Sequence, residues 1–262
     1  MAKLTAAQIN TLAQTVDDAT RAAKPVAQLS KRCGVKLSLD DAYRVQAASI
    51  TRRGRRRERR SGVKMGFTSR AKALQMGVSD LIYGRLTEAM LIADSGTLSL
   101  KDFIHPRVEP EVAFLLKSPM SGNLSPAEAM VHVEAVAPAL EIIDSRYKDF
   151  KFSLTDVVAD NCSSAAYVLG PWNRPDSDIS NLGMVLTFNG RPVEIGSSAA
   201  IRGHPARSLA DAARFADETG DTLETGFVVM AGGATAAVAL TPDTAVHLEV
   251  EALGSTGFTV TG

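Results

Sequence analysis

Apolar residues near the start of the chain recur at helical spacing. Leu4, Ile9, Leu12, Ala13 and Val16 fall on one side of a repeat of about 3.6 residues. Leu39-Asp40-Asp41 opens a second helical pattern carrying Ala42, Val45, Gln46 and Ile50, which runs into the stretch Arg52–Arg60 and stops at Ser61-Gly62. Residues 4–60 are thus expected to be helical. From Val63 the texture changes to short apolar runs: Val108–Leu116, Ala137–Ile143, Ala165–Val168, Met184–Phe188, Phe227–Met230, Val246–Val250 and Gly257–Val260. Turn signals separate them, and Asn189-Gly190 predicts a hairpin between Met184–Phe188 and Arg191–Ile195. Two helical patches interrupt the strands. Ser125-Pro126-Ala127-Glu128 has the residues of a capping box, and Ser208 to Thr219 is Ala-rich. Many strands after a helical segment give an α+β class. The expected division is a helical N-terminal region, 1–75, and a strand-rich domain, 76–262. No internal repeat interrupts this organisation.

Composition narrows the classes. The chain has 262 residues, 45% hydrophobic and 22% charged, which suits a folded domain rather than a disordered segment. Lys plus Arg and Asp plus Glu both number 29, so no net charge draws the whole chain to a polyanion. Two cysteines, Cys33 and Cys162, are too few for a disulfide scaffold or a Cys-rich zinc module and fit a reducing compartment. The N-terminus shows no apolar targeting segment. The longest nearly uncharged stretch, Phe227 to Leu240, has 14 residues, short of the roughly 20 a membrane helix needs. A cytoplasmic protein without membrane or nucleic-acid partners is expected.

The candidate chemistry lies in His105-Pro106-Arg107-Val108-Glu109-Pro110-Glu111-Val112-Ala113-Phe114. In a strand, side chains alternate, so Glu109 and Glu111 share a face about 7 Å apart. Glu141 is a lone acid between Leu140 and Ile142, where an unpaired charge is costly. Three carboxylates converging on one site call for a hard cation with oxygen ligands, Mg²⁺ or Mn²⁺. The competing view is a solvated strand face for Glu109 and Glu111, which the apolar setting of Glu141 weakens.

Other groups are weighed in the same way. Lys64, between Val63 and Met65 with glycines on both sides, is a candidate electrostatic or acid–base group. The seven arginines of Arg52–Arg60 could form a nucleic-acid patch; Gly54, Glu58 and the absence of interleaved aromatics favour a solvated helix face or a subunit contact. Asp144-Ser145-Arg146 is expected to form a structural ion pair. Gly232-Gly233 lacks the lysine of a phosphate loop and is expected to permit close backbone approach.

Several stretches together resemble the hydratase/decarboxylase family of the fumarylacetoacetase superfamily. They are Val63-Lys64-Met65-Gly66-Phe67-Thr68-Ser69-Arg70, Pro106-Arg107-Val108-Glu109-Pro110-Glu111 and Leu140-Glu141-Ile142-Ile143-Asp144-Ser145-Arg146. Val158-Ala159-Asp160-Asn161-Cys162-Ser163-Ser164, Gly190-Arg191-Pro192-Val193 and Ala231-Gly232-Gly233-Ala234-Thr235 complete the set. The resemblance implies a fumarylacetoacetase-like mixed β-sheet roll with a smaller helical N-terminal region. It also implies that Glu109, Glu111 and Glu141 bind the metal.

One branch of this family hydrates 2-hydroxypenta-2,4-dienoate; the other forms that compound by decarboxylating 2-oxo-3-hexenedioate in meta-cleavage catabolism of aromatic compounds. The hydratase branch carries an acid just before an aromatic–Gly pair. Here Ile82 stands before Tyr83-Gly84, within Asp80-Leu81-Ile82-Tyr83-Gly84-Arg85-Leu86-Thr87, so the resemblance favours the decarboxylase branch. A metal of this kind would act as a Lewis acid toward the 2-oxo group, an effect worth several kcal/mol. Lys64 is the expected catalytic cation. Arg70, Arg85, Asn161, Ser163 and Ser164 are the expected substrate-binding residues. By resemblance the protein is an oligomer that associates with the downstream dienoate hydratase. Three alternatives make other demands: a hydratase, a C–C bond hydrolase with His105 facing the metal, and an RNA-binding scaffold using the arginine run.

Overall fold

A computed structural model describes residues 3–32, 37–68 and 81–262. The predicted first helix is α1 (Ala6–Ala22), opened by a capping box between Thr5 and Gln8. A single turn, α2 (Leu29–Arg32), precedes α3 (Leu39–Arg55), where Ser38 caps Asp41. The buried faces of α1 and α3 meet through Leu12, Val16 and Val45. Part of the arginine run is structural, while Arg55, Arg57 and Arg59 are exposed. The buried carboxylate of Asp17 on α1 binds Arg52 and Arg56, and Arg53 is itself buried. Helix α3 ends at Arg55, before the expected stop at Ser61-Gly62, because the chain turns there into a strand that needs Arg60.

That strand, β1 (Arg60–Gly66), is followed by β2 (Ile82–Thr87), β3 (Leu91–Ile92), β4 (Gly96–Ser99) and β5 (Arg107–Leu116). A short helix α4 (Pro126–Val131) with its predicted capping box leads into β6 (Val133–Ile143). Helix α5 (Leu154–Ala159) and the 3-10 turn Asn161–Ser163 lead into β7 (Ser164–Leu169). The hairpin β8 (Gly183–Phe188) and β9 (Arg191–Ser197) turns at Asn189-Gly190 as expected, with φ of 50° and 75°. Helix α6 (Pro205–Glu218), β10 (Val228–Met230), β11 (Val238–Ala239), β12 (Thr244–Val250) and β13 (Gly254–Thr261) complete the chain.

Two mixed sheets result. The larger runs β2-β1-β10-β5-β6-β7-β3, with β11 also on β5; the smaller runs β4-β13-β12-β8-β9. Pairings β1·β10, β3·β7 and β4·β13 are parallel and the rest antiparallel. The main core fills the space between the sheets and α6, with Val63, Phe114, Leu209, Val229 and Leu248 fully buried. This is the expected α+β roll. The division at residue 75 falls outside the described residues. Strand β1, which that division places in the N-terminal region, is hydrogen-bonded between β2 and β10 in the large sheet. The helices do not stand apart either. Gln46 of α3 is buried and donates to the carbonyls of Tyr83 on β2 and Val158 on α5. Among the described residues, no helix is long and apolar enough to cross a membrane.

Candidate active site

Strands β5 and β6 are the longest of the large sheet, and their register builds the site. Glu109 stands opposite Glu141, Glu111 opposite Ala139, and Arg107 opposite Ile143. Side-chain alternation along β5 puts Arg107, Glu109 and Glu111 on one face. Oxygens of Glu109, Glu111 and Glu141 lie within 4.8 Å of one another, and all three residues are buried. Glu111 Oε1 and Glu141 Oε1 are buried and accept no hydrogen bond. Glu111 Oε2 accepts one of 2.7 Å from the backbone N–H of Gly232. Gly232 has φ +104°, and a Cβ there would lie 2.2 Å from Thr68 Oγ1, so only glycine lets this N–H reach the carboxylate. The expected close approach at Gly232-Gly233 thus serves the Glu111 carboxylate.

Lys64 on β1 closes the group. Its Nζ lies 2.9 Å from Glu141 Oε2 and donates to the carbonyl of Cys162 at 3.2 Å. Gly84 on the neighbouring β2 makes room for it: a Cβ at Gly84 would meet Lys64 Cδ at 2.9 Å. Burial pulls the Lys64 pKa down, but the carboxylates, Glu141 foremost, outweigh it and raise it above the ordinary lysine value. Burial and the charges of Glu141 and Glu109 hold Glu111 far above the usual carboxylate range. Glu141 is raised too, by burial first, with Lys64 opposing. Among the described residues, the Lys64 ammonium thus lies among three carboxylates. The buried, unpaired oxygens fit a divalent cation and leave no comparable explanation among the described groups.

The site opens into a cavity of about 640 Å³. Its inner wall carries Lys64, Glu109, Cys162 and Ser163; Ile82 forms an apolar side; Arg107 and Phe150 stand among its outer residues. The Cys162 thiol is pushed up to about 12 by burial, so it stays protonated and is no nucleophile. Ser163 Oγ is buried and has no hydrogen-bond partner among the described residues. Asn161, Cys162 and Ser163 all have positive φ, between 49° and 58°, which strains non-glycine residues.

Some expected ligands are placed elsewhere. Ile82 faces the cavity and Gly84 faces Lys64, so by alternation Arg85 points to the other side of β2. There it binds Gln46 and, at 3.4 Å, Asp221. The amide of Asn161 is consumed by the backbone of Arg85, accepting from its N–H and donating to its carbonyl, each at 2.8 Å. Ser164 opens β7 and does not line the cavity. Arg70 and Cys33 lie outside the described residues. His105, which a hydrolase would need at the metal, packs its ring 5.0 Å from that of Phe150 and is not part of the cavity wall. Arg146 pairs with Asp160, and Asp144 instead accepts from the N–H groups of Ile104 and His105.

Residues 59–261 match the family model of the fumarylacetoacetate (FAA) hydrolase C-terminal region, and the chain belongs to the fumarylacetoacetate hydrolase family. Within it, a 4-oxalocrotonate decarboxylase from Pseudomonas sp. is 52% identical over 97% of this chain and 99% of its own length. The solved structure of 4-oxalocrotonate decarboxylase from Pseudomonas putida G7, complexed with magnesium and adipate, is 34% identical. It matches with a TM-score of 0.94 over 99% of this chain and 100% of that one. A 2-keto-4-pentenoate hydratase from Paraburkholderia xenovorans (strain LB400) is 33% identical over 96% of this chain and 94% of its own.

Proposed function

We propose that this protein is a divalent-metal-dependent carboxy-lyase. It converts 2-oxo-3-hexenedioate (4-oxalocrotonate) to 2-hydroxypenta-2,4-dienoate and CO₂ in the catabolism of aromatic compounds. The observation that carries this reading is the pairing of a buried Glu109–Glu111–Glu141–Lys64 group with the apolar side chain of Ile82. Decarboxylase relatives at 52% and 34% identity support it.

Glu109, Glu111 and Glu141 would hold the cation, with Mg²⁺ the proposed ion and Mn²⁺ a fitting substitute. When bound, it supplies Lewis acidity and a chelation point for a 2-oxo acid. The chain's own groups do the rest. Gly232 orients Glu111 through its N–H. Lys64, held protonated by its carboxylate neighbours, is a fixed positive charge rather than a general base. Beside the acids that would hold the cation, the lysine's charge would stabilise the negative charge developing on the substrate's 2-oxygen, the preorganised electrostatics that lower such barriers most. Ser163 Oγ is free to donate to the substrate's oxygens.

The bond broken is C5–C6. Its electron pair forms C4=C5, the C3=C4 pair moves to C2=C3, and the carbonyl pair goes to the 2-oxygen, which then takes a proton. No water is added at any carbon. Ile82 fits this course, since a hydratase needs a side chain that directs water and isoleucine cannot do so. The reading carries with it a cytoplasmic setting, an oligomeric state and a complex with the dienoate hydratase that consumes the dienol; co-purification of the two proteins tests the last.

The deciding experiment is CO₂ release from 2-oxo-3-hexenedioate with Mg²⁺ present and with it chelated. Release that vanishes on chelation and returns with Mg²⁺ is expected. Hydration of the dienoate without CO₂ release would make the protein a hydratase and overturn the reading.

A further inference from the structure

The cavity has a second charged end that the reaction chemistry leaves unassigned. Arg107 begins β5 two residues before Glu109 and shares its face, so their β-carbons are about 7 Å apart. Glu109 and Arg107 both line the cavity, and Ile143, opposite Arg107 in the register, lines it between them and β7. Arg107 is exposed, and among the described residues its guanidinium has no ion-pair partner. What it has is a platform: its Cζ lies 4.8 Å from the ring centroid of Phe150. That ring is braced by His105 at 5.0 Å and Phe152 at 5.8 Å. The backbone presents it through two successive left-handed residues, Asp149 at 58° and Phe150 at 55°. A second exposed cation, Lys151, and the amide-bearing Gln28 line the same cavity, and Gln28 Nε2 donates to the Lys151 carbonyl at 2.8 Å.

The geometry points to Arg107 as the residue that recognises the far carboxylate of a dicarboxylate substrate, with Lys151 in support. The assignment rests on the decarboxylase reading for the identity of that dicarboxylate. An extended six-carbon chain has its end carbons on the order of 6 Å apart, so an acid held at the glutamate end reaches the guanidinium with its other end. The group so held is the one that leaves. Its negative charge is complete in the bound substrate and is lost as CO₂ departs, so an ion pair with Arg107 stabilises the ground state more than the transition state. Arg107 is therefore a specificity residue whose effect falls on KM. An exposed cation suits that task better than a buried one, which would resist loss of the carboxylate.

The test uses two unreactive ligands that share the 2-oxo acid end and differ only in the far carboxylate, 2-oxohexanedioate and 2-oxohexanoate. Their binding to the Mg²⁺-loaded protein is read by calorimetry. Arg107→Ala is expected to weaken 2-oxohexanedioate about tenfold, the scale of one partly solvated charge-assisted hydrogen bond, and to leave 2-oxohexanoate unchanged. Arg107→Lys keeps most of the preference. In turnover of 2-oxo-3-hexenedioate, KM rises by a similar factor and kcat is unchanged or higher. Equal weakening of both ligands, or neither, would overturn the assignment, as would a fall in kcat with KM unmoved. If the wild-type protein releases no CO₂, the decarboxylase reading fails, and the ratio of the two affinities still decides the role of Arg107.

Discussion

Glu109 and Glu141 face one another directly across neighbouring antiparallel strands, both buried, in a position where like charges destabilise a sheet. The metal-free protein bears that repulsion, and Glu111 adds to it. Glu111→Gln should therefore make the metal-free protein more stable, by about 1–3 kcal/mol, since the amide avoids the cost of a buried carboxyl held far above its usual range and still accepts from Gly232. The same change should erase the rise in melting temperature that Mg²⁺ gives the wild type. Thermal unfolding with and without Mg²⁺ checks both halves. A metal-free variant less stable than the wild type would show that the three acids do not strain the fold.

Lys64→Met keeps the aliphatic stem and removes the charge. A fall in kcat of about 10²–10³ is expected, as for loss of one preorganised electrostatic group. Mg²⁺ affinity should be kept or improved, because the ammonium that competes for Glu141 is gone. Titration of metal binding beside the turnover assay separates the two.

Gly84→Ala reaches the same lysine from another strand. The added methyl meets Lys64 Cδ at 2.9 Å and the Asn161 carbonyl at 3.0 Å. The backbone oxygen cannot yield as readily as the side chain, so Lys64 is displaced. Activity should fall toward that of Lys64→Met while the far-ultraviolet circular dichroism is unchanged.

Asn161→Ala is expected to act on stability rather than on substrate binding. Two hydrogen bonds to the Arg85 backbone are lost, about 2–3 kcal/mol together, or a fall of about 5–10 °C in melting temperature. KM in the surviving folded enzyme should change little. A large rise in KM without loss of stability would return Asn161 to the substrate-binding set.

Asp17 sets the acid limit of the helical region. Burial alone would raise its pKa, but hydrogen bonds from Arg56 and Arg52 outweigh this and hold it below the ordinary aspartate value. A lowered carboxyl pKa contributes stability that is present above the unfolded value, near 3.9 by the usual scale (about), and lost as pH falls through the folded value. Asp17→Asn should therefore be less stable than the wild type at neutral pH, with the gap closing in acid, as pH falls below the ordinary aspartate value. Urea unfolding at neutral and acid pH measures it; a gap that is constant with pH would remove Asp17 from this role.

The cluster of three buried acids was legible because the signal is local. Strand alternation aligns Glu109 with Glu111, and an acid among Leu140, Ile142 and Ile143 betrays burial. The same alternation could have excluded Arg85, since Ile82 and Gly84 occupy the cavity side of β2, and could have found Arg107, which has the parity of the two glutamates. Asn161 is different. Its amide serves as a substitute strand for Arg85, a partner 76 positions away that no local pattern reveals. The parallel pairing of β1 with β10, which carries Lys64 opposite Met230, is likewise absent from any short window.

That pairing bears on how the protein is made. Lys64 comes early in synthesis, yet β1 lies between β2 and β10, and Glu111 receives its orienting N–H from Gly232. A chain still held by the ribosome before residue 232 has translated its acids but cannot aim them. The acidic cluster is thus among the last parts of the molecule to be assembled, after closure of loops more than 100 residues long, the kind of non-local step that makes folding slow. Until then the edge of β5 that β10 covers is open to other strands, the kind of edge on which incomplete chains associate wrongly.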